Sequence, residues 1–299
     1  MFASEKAPPV SSLPQMEIAG QIERAFVRLA EGQVHLRRLP ASGAGTPLLL
    51  FHASPASSWF MQGLMLALRA AGHTGEIIAP DTLGNGDSPP PALDEPDIAY
   101  FADAMRRLCD EMGIARADLY GTHTGARIAC EFAAAFPERT GRVVLDGITE
   151  YPDEFREEVI ANYAPLVEPD EYGRHLIWAF NFCRDQALYF PHFKKGPETR
   201  LGGAMPPPAV LHRITLDVLK ALDTYPKPYL AAFRYRAFER MPMVEAPTLL
   251  LKPENELALL NQSVETALGL LRDSRAATLP PGDAPKAATI AAFLKDNGP

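Results

Sequence analysis

The sequence predicts an α/β protein in which a mostly parallel, doubly wound sheet carries an inserted helical segment. Three observations lead there. Short runs at 47–51, 142–146 and 247–251 have the apolar character of strands buried on both faces of a parallel sheet. Stretches of helical periodicity alternate with them, with Ile128, Ala129, Phe132, Ala135 and Phe136 on one face. Between the two kinds of element stands Leu119-Tyr120-Gly121-Thr122-His123-Thr124-Gly125-Ala126, which reads as the end of a strand, a tight corner flanked by glycines, and the start of a helix.

The remaining elements follow in order. Residues 24–30 and 33–39, separated by Glu31-Gly32, alternate as an antiparallel hairpin that starts the sheet. The apolar strand at 47–51 ends in His52-Ala53-Ser54-Pro55, and a helix over 57–72 closes at Gly72. The next strand, 76–80, leads into Asp81-Thr82-Leu83-Gly84-Asn85-Gly86-Asp87-Ser88 and a proline-rich connection. A helix over 98–113 then delivers the chain to the corner, and the strand at 142–146 follows. The β-α alternation stops after that strand. Residues 149–245 are helical, aromatic and punctuated by proline, with segments near 152–163, 172–190, 206–222 and 228–240. Alternation resumes with a strand at 247–251, a helix over 258–272, a strand at 276–279 and a last helix over 285–295.

Composition bounds the function classes. A chain of 299 residues with 47% hydrophobic content fits one domain with an insertion. The net charge of -8 offers no basic field to a phosphate backbone, so a nucleic-acid partner is not expected. No apolar run is long enough to span a bilayer, so neither is a membrane. The first twenty residues mix Glu5, Lys6, prolines and serines and read as a disordered arm rather than a signal peptide. Cys109, Cys130 and Cys183 are odd in number, far apart and within helical stretches, as free thiols of a reduced cytoplasmic protein would be. No C-x-x-C or H-E-x-x-H spacing calls for a metal. The expected partner is a small-molecule substrate, with no cofactor; the oligomeric state stays open.

The corner at Gly121-Thr122-His123-Thr124-Gly125 resembles the G-x-S-x-G nucleophile elbow of the α/β-hydrolase superfamily, with histidine at the serine position. His52-Ala53-Ser54-Pro55 is similar to that family's H-G-x-P loop, and the segment from Asp81 to Ser88 to its structural D-x-x-G-x-G-x-S loop. The resemblance covers roughly 45–150 and 245–299 and implies an α/β-hydrolase core over 21–148 and 246–299, with 149–245 as a helical lid.

The resemblance also implies where a site should lie. The backbone amides of Ala53 and Thr124 take the oxyanion-hole positions. Glu256, with Glu254 as a second candidate, follows the seventh strand where the family places its acid, and Asp146 at the end of the sixth strand is an alternative partner for His123. The loop after the last strand, Leu279-Pro280-Pro281-Gly282-Asp283-Ala284-Pro285, holds no histidine where the base should be; the last histidine of the chain is His212. Ordinary serine-esterase chemistry is therefore not carried over. A histidine at such a corner is a candidate general base or nucleophile acting on a carbonyl compound beside the two amides, with hydrolysis and lyase chemistry both open. The alternative is a catalytically inactive descendant that keeps a ligand pocket. His52 belongs to the expected site, and His175, Phe182, Gln186 and Tyr189 share one face of a lid helix that would roof the pocket or pack the lid.

Overall fold

The computed structural model describes residues 22–295, so the arm expected over 1–20 lies outside the described residues. In chain order the elements are β1 Glu23–Leu29, β2 Gly32–Leu39, β3 Leu48–Phe51, α1 Gln62–Ala70, β4 Ile77–Pro80, α2 Ile98–Glu111, β5 Ala117–Thr122, α3 Thr124–Ala135 and β6 Thr140–Asp146. Five helices follow: α4 Asp153–Asn162, α5 Arg174–Leu188, α6 Pro208–Lys220, α7 Pro226–Arg234 and α8 Ala237–Arg240. The chain then returns to the sheet with β7 Thr248–Pro253, α9 Ala258–Leu270, β8 Ser274–Leu279 and α10 Asp283–Lys295.

All eight strands form one sheet in the order β1-β2-β4-β3-β5-β6-β7-β8. β1 pairs with β2, and β2 with β4, antiparallel; the rest of the sheet is parallel. The period of two along each strand divides its side chains between two cores. Leu49, Leu119 and Val143 meet Phe101 and Met105 of α2 and Ile128 and Phe132 of α3 on one face. Leu48, Leu50, Tyr120 and Val144 meet Leu64, Met65 and Leu68 of α1 and Ile290 and Phe293 of α10 on the other. Coverage of both faces is why the strands read as unbroken apolar runs. At about 1.5–3 kcal/mol for each fully buried large aliphatic side chain, these two layers carry most of the hydrophobic stabilisation.

The insertion between β6 and β7 has a third core of its own, built from Tyr151, Val159, Tyr163, Ala179, Phe182, Val218, Tyr225, Tyr229 and Phe233. Where the sequence predicts one helix over 228–240, the chain forms α7 and α8, broken at extended Tyr235 (φ -68°, ψ 129°). The break lets the Tyr235 hydroxyl donate to Glu131 at 3.0 Å, and Arg240 reaches the same carboxylate at 2.7 Å, tying the insertion to α3.

The loop from Asp81 to Ser88 is a structural knot. Asp81 accepts hydrogen bonds from the amides of Ser58 (2.7 Å) and Asp87 (2.9 Å) and contacts His35 Nδ1 at 2.8 Å, while the Ser88 hydroxyl donates to Asp81 O at 2.7 Å. His35, Asp81 and Asp87 are near enough to one another to hold an ion, yet Asp87 is already paired with Arg24 and Lys220. The three cysteines are buried, and burial pushes the Cys109 and Cys130 thiols up to about 12, which keeps them unionised. No described helix is long and apolar enough to cross a membrane.

Two glycines are required by close approach. A Cβ at Gly121 would sit 2.1 Å from Gly125 O, and one at Gly125 would sit 2.1 Å from Phe51 O. Gly125→Ala is therefore expected to lower stability by about 3 kcal/mol or more, the overpacking range and its upper tail. Gly269, in α9 with nothing within 4 Å of its Cβ position, is the contrasting site, where Ala should stabilise by about 0.5–1 kcal/mol. Urea unfolding of the two variants reads both signs.

Candidate functional site

His123 joins β5 to α3 with φ 50° and ψ -106°, and it is the only non-glycine residue with positive φ among those described. Such a conformation costs on the order of 1–3 kcal/mol and persists where the surroundings over-determine it. Here they do. The His123 amide donates to Asp146 O at 2.9 Å, and its carbonyl accepts from the amides of Ala126 (3.1 Å) and Arg127 (3.3 Å) and from Arg127 Nη1 (3.1 Å). The strained corner lifts the imidazole off the sheet, leaving the side chain 42% exposed.

That exposure opens into a cavity of about 590 Å³ above the carboxyl ends of the strands, a size suited to a small organic molecule. Its floor includes His123, Thr124, Ala53 and Ser54; its far side belongs to the insertion, through Tyr151, Tyr163, Gln186, Phe190, Tyr229 and Phe233. Tyr229, Ala232 and Phe233 of α7 reach it from one helix face, spaced i, i+3, i+4. The aromatic wall is packed edge to face, with Tyr163 and Phe233 centroids 4.9 Å apart.

Glu256 reaches the imidazole. Its Oε2 lies 3.4 Å from His123 Nε2, and its Oε1 accepts from the Leu257 amide at 2.8 Å, which fixes the carboxylate at the head of α9. Asp146, the alternative partner, is engaged elsewhere: its Oδ2 accepts from the Tyr120 hydroxyl at 2.7 Å and from Lys286 Nζ of α10 at 2.5 Å. Only its backbone carbonyl touches the corner. The expectation that the Asp146 carboxylate orients His123 is thereby corrected.

The amides of Ala53 and Thr124 donate to no backbone carbonyl among the described residues, and both residues line the cavity. The loop carrying Ala53 is set by His52, which is buried: the Thr82 amide donates to Nε2 at 3.0 Å, so Nδ1 bears the hydrogen and donates to Ala53 O at 2.9 Å. Burial pushes the His52 imidazolium form down. His52 thus holds the loop and does not face a ligand, correcting its place among the binding residues.

The helix face expected to roof the pocket is mostly packing. His175 Nδ1 accepts from the Asp170 amide at 3.2 Å and secures the turn that starts α5. Phe182 is buried against Trp178, Tyr225 and His192 in the core of the insertion. Tyr189 ends the helix and bridges to Arg200. Of the four, Gln186 alone lines the cavity, held by the Tyr229 hydroxyl at 3.0 Å. His192, also in this region, gives its Nε2 to Tyr163 O at 2.8 Å.

Three residues escaped sequence reasoning. Ser54 lines the cavity with a buried hydroxyl that has no hydrogen-bond partner. Arg127 lies one helical turn beyond His123, a charge amid the apolar Ala126, Ile128 and Ala129; that interruption was its signal. Gly147 (φ 72°) lies against the imidazole, with its Cβ position 2.9 Å from His123 Cε1, 3.0 Å from Nδ1 and 3.3 Å from Glu256 Oε2. Only a residue without a side chain leaves that space open.

A family model described as alpha/beta hydrolase fold matches residues 46–164. Among curated proteins, the 2-hydroxymuconate semialdehyde hydrolase of Pseudomonas sp. (strain CF600) is 35% identical over 106 residues, 36% of this chain and 38% of that protein. A 2-hydroxy-6-oxononadienedioate/2-hydroxy-6-oxononatrienedioate hydrolase of Pseudomonas putida is 32% identical over 139 residues, 44% of this chain and 47% of that one. The chain spans less than half the length of the curated relatives it matches. Among solved structures, an epoxide hydrolase from Mycobacterium thermoresistibile superposes with a TM-score of 0.69 at 20% identity, covering 92% of this chain and 98% of that one. A carboxylesterase from Bacillus subtilis gives 0.62 at 18% identity, covering 95% and 96%. At these identities the likeness concerns the fold.

Gly147→Ala is expected to fill the space beside the imidazole and displace the ring, with only about 1–2 kcal/mol lost to the positive φ. A crystal structure of the variant should show a changed His123 rotamer, with thermal unfolding shifted by a few degrees.

Proposed function

We propose that this chain, which has the α/β-hydrolase fold, is a cofactor-independent enzyme of hydrolase or lyase type that acts on a small, largely apolar carbonyl compound, with His123 as its general base. The observation that carries the reading is the accessible His123 imidazole, held at a strained corner facing a cavity of about 590 Å³ with Glu256 Oε2 3.4 Å from its Nε2. The relatives' names describe hydrolases of compounds bearing aldehyde or oxo groups, which supports the substrate class.

A carboxylate at Nε2 favours the tautomer with its hydrogen there and leaves the Nδ1 lone pair as the proton acceptor. On the hydrolytic route, Nδ1 takes a proton from water as the oxygen attacks the carbonyl carbon. The carbonyl electron pair moves to oxygen, where the Ala53 and Thr124 amides receive the negative charge. The imidazolium, balanced by Glu256, returns the proton to the leaving atom as the bond to it breaks. Abstraction of a proton beside the carbonyl would use the same base and the same amides, forming an enolate instead.

A second reading keeps the base and changes the nucleophile. The Ser54 hydroxyl, buried in the cavity wall without a partner, is the serine available to attack in place of water. The two readings separate by labelling: water as nucleophile leaves the protein unmodified by a fluorophosphonate, whereas Ser54 as nucleophile gives a stoichiometric adduct there.

His123→Ala is expected to reduce turnover by about 1000-fold or more with the fold intact, and Glu256→Gln by about 10- to 1000-fold, in line with general-base and orienting contributions. Assays with 2-hydroxymuconate semialdehyde and p-nitrophenyl acetate, alongside near-ultraviolet circular dichroism, check both. Unchanged turnover in His123→Ala removes the base assignment, and a wild-type protein that binds carbonyl compounds without converting them is a silent ligand-binding homologue.

A further inference from the structure

A buried cation needs an anion, and Arg127 has none. The residue is 4% exposed and forms part of the cavity wall. Its Nη1 donates to His123 O at 3.1 Å and its Nη2 to Thr149 O at 2.9 Å, both neutral carbonyls. The guanidinium lies 5.9 Å from the centroid of the Tyr151 ring, and its buried Nε has no partner. Among the described residues no carboxylate pairs with it: the nearest in sequence, Glu131, is taken by Arg240 and Tyr235. Burial pushes the Arg127 guanidinium below its ordinary range, as expected of a cation lacking a counter-charge, though an arginine stays protonated at neutral pH.

The rest of the cavity points the same way. Its charged lining consists of Arg127, Arg200 and Glu256, and the carboxylate is occupied at the imidazole. Arg200, exposed at the opening, also makes no ion pair among the described residues. The aromatic lining suits an apolar body; the guanidinium suits a terminal charge.

We infer that the ligand of this cavity is an anion, a carbonyl compound bearing a carboxylate, and that Arg127 is the group that holds the carboxylate while the carbonyl lies at His123. The inference rests on the cavity being the binding site, as proposed above, and adds the charge of the substrate and the residue that selects it. A charge-assisted contact to a guanidinium that is only 4% exposed discriminates strongly against a neutral isostere, because the isostere leaves the cation unpaired.

The test is a pair of calorimetric titrations of the full-length protein with 4-oxo-4-phenylbutanoate and with its uncharged N-methylamide, which share the ketone and the ring. The wild-type protein is expected to bind the acid about tenfold or more tighter than the amide, and Arg127→Gln to bring the two affinities within about threefold. Arg127→Lys, which keeps the charge, should retain part of the preference; a purely structural role, bridging the His123 and Thr149 carbonyls, would leave the preference intact in every folded variant. His123→Ala should retain it fully, so failure of the base assignment and failure of this one are read separately. Equal affinities in the wild type, undetectable binding of the acid up to millimolar concentration, or a preference that survives Arg127→Gln each overturn the proposal. The wild-type comparison stands even where a variant does not fold.

Discussion

The structure depends on one contact that leaves no room for a side chain: the backbone of α3 at Gly125 against the carbonyl of Phe51 at the end of β3. That approach lets β3, β5 and β6 converge on a single corner, so that the chain at His123 has hydrogen bonds on both sides of an unfavourable φ. The strain is local, whereas the packing that sustains it is spread over two cores. The direction in which the His123 side chain leaves the backbone is consequently set by the main chain of the three strands. The amide of Thr124 is left without an acceptor by the same geometry, because the first turn of a helix has no carbonyl to offer it.

The charges around this corner are sorted by the sheet. Asp146, Tyr120 and Lys286 satisfy one another on the side covered by α10, where nothing from the cavity reaches them. Glu256 and Arg127 lie on the cavity side, one beside the imidazole and the other one turn into α3. An acid placed at the end of β6 and an acid placed after β7 are thus not interchangeable, although both sit at carboxyl ends of adjacent strands.

Much of this was legible in the sequence for plain physical reasons. Parallel strands covered on both faces must be apolar, which exposed the runs at 47–51 and 247–251; two glycines around one residue mark a corner that a Cβ would block. Glu256 was singled out by the resemblance of the segment after β7 to the place where the family carries its acid, with Glu254 as the second candidate. What was not legible is direction. His52 and Asp146 lie within a few residues of the cavity in sequence, yet their hydrogen-bond partners, Thr82 and Lys286, come from 30 and 140 positions away. Phe182 and Gln186, one turn apart on α5, fall on opposite sides of the boundary between core and cavity. Helical periodicity places them on a common face without saying which layer that face meets. Arg127 was hidden by the same limit: a charge in an apolar helix reads as an anomaly until its surroundings are known.

The separate core of the insertion has a consequence for how such a chain can change. Tyr151, Tyr163, Tyr229 and Phe233 support one another within that core while turning part of their surface to the cavity. The corner at His123 draws its rigidity from the sheet instead. The aromatic part of the segment between β6 and β7 can therefore vary in shape while the sheet goes on holding the main chain at His123, as long as Thr149, whose carbonyl accepts from Arg127 Nη2 at 2.9 Å, is kept. A directed-evolution library confined to Tyr163, Tyr229 and Phe233 would vary the shape of the cavity without touching the contacts of Arg127.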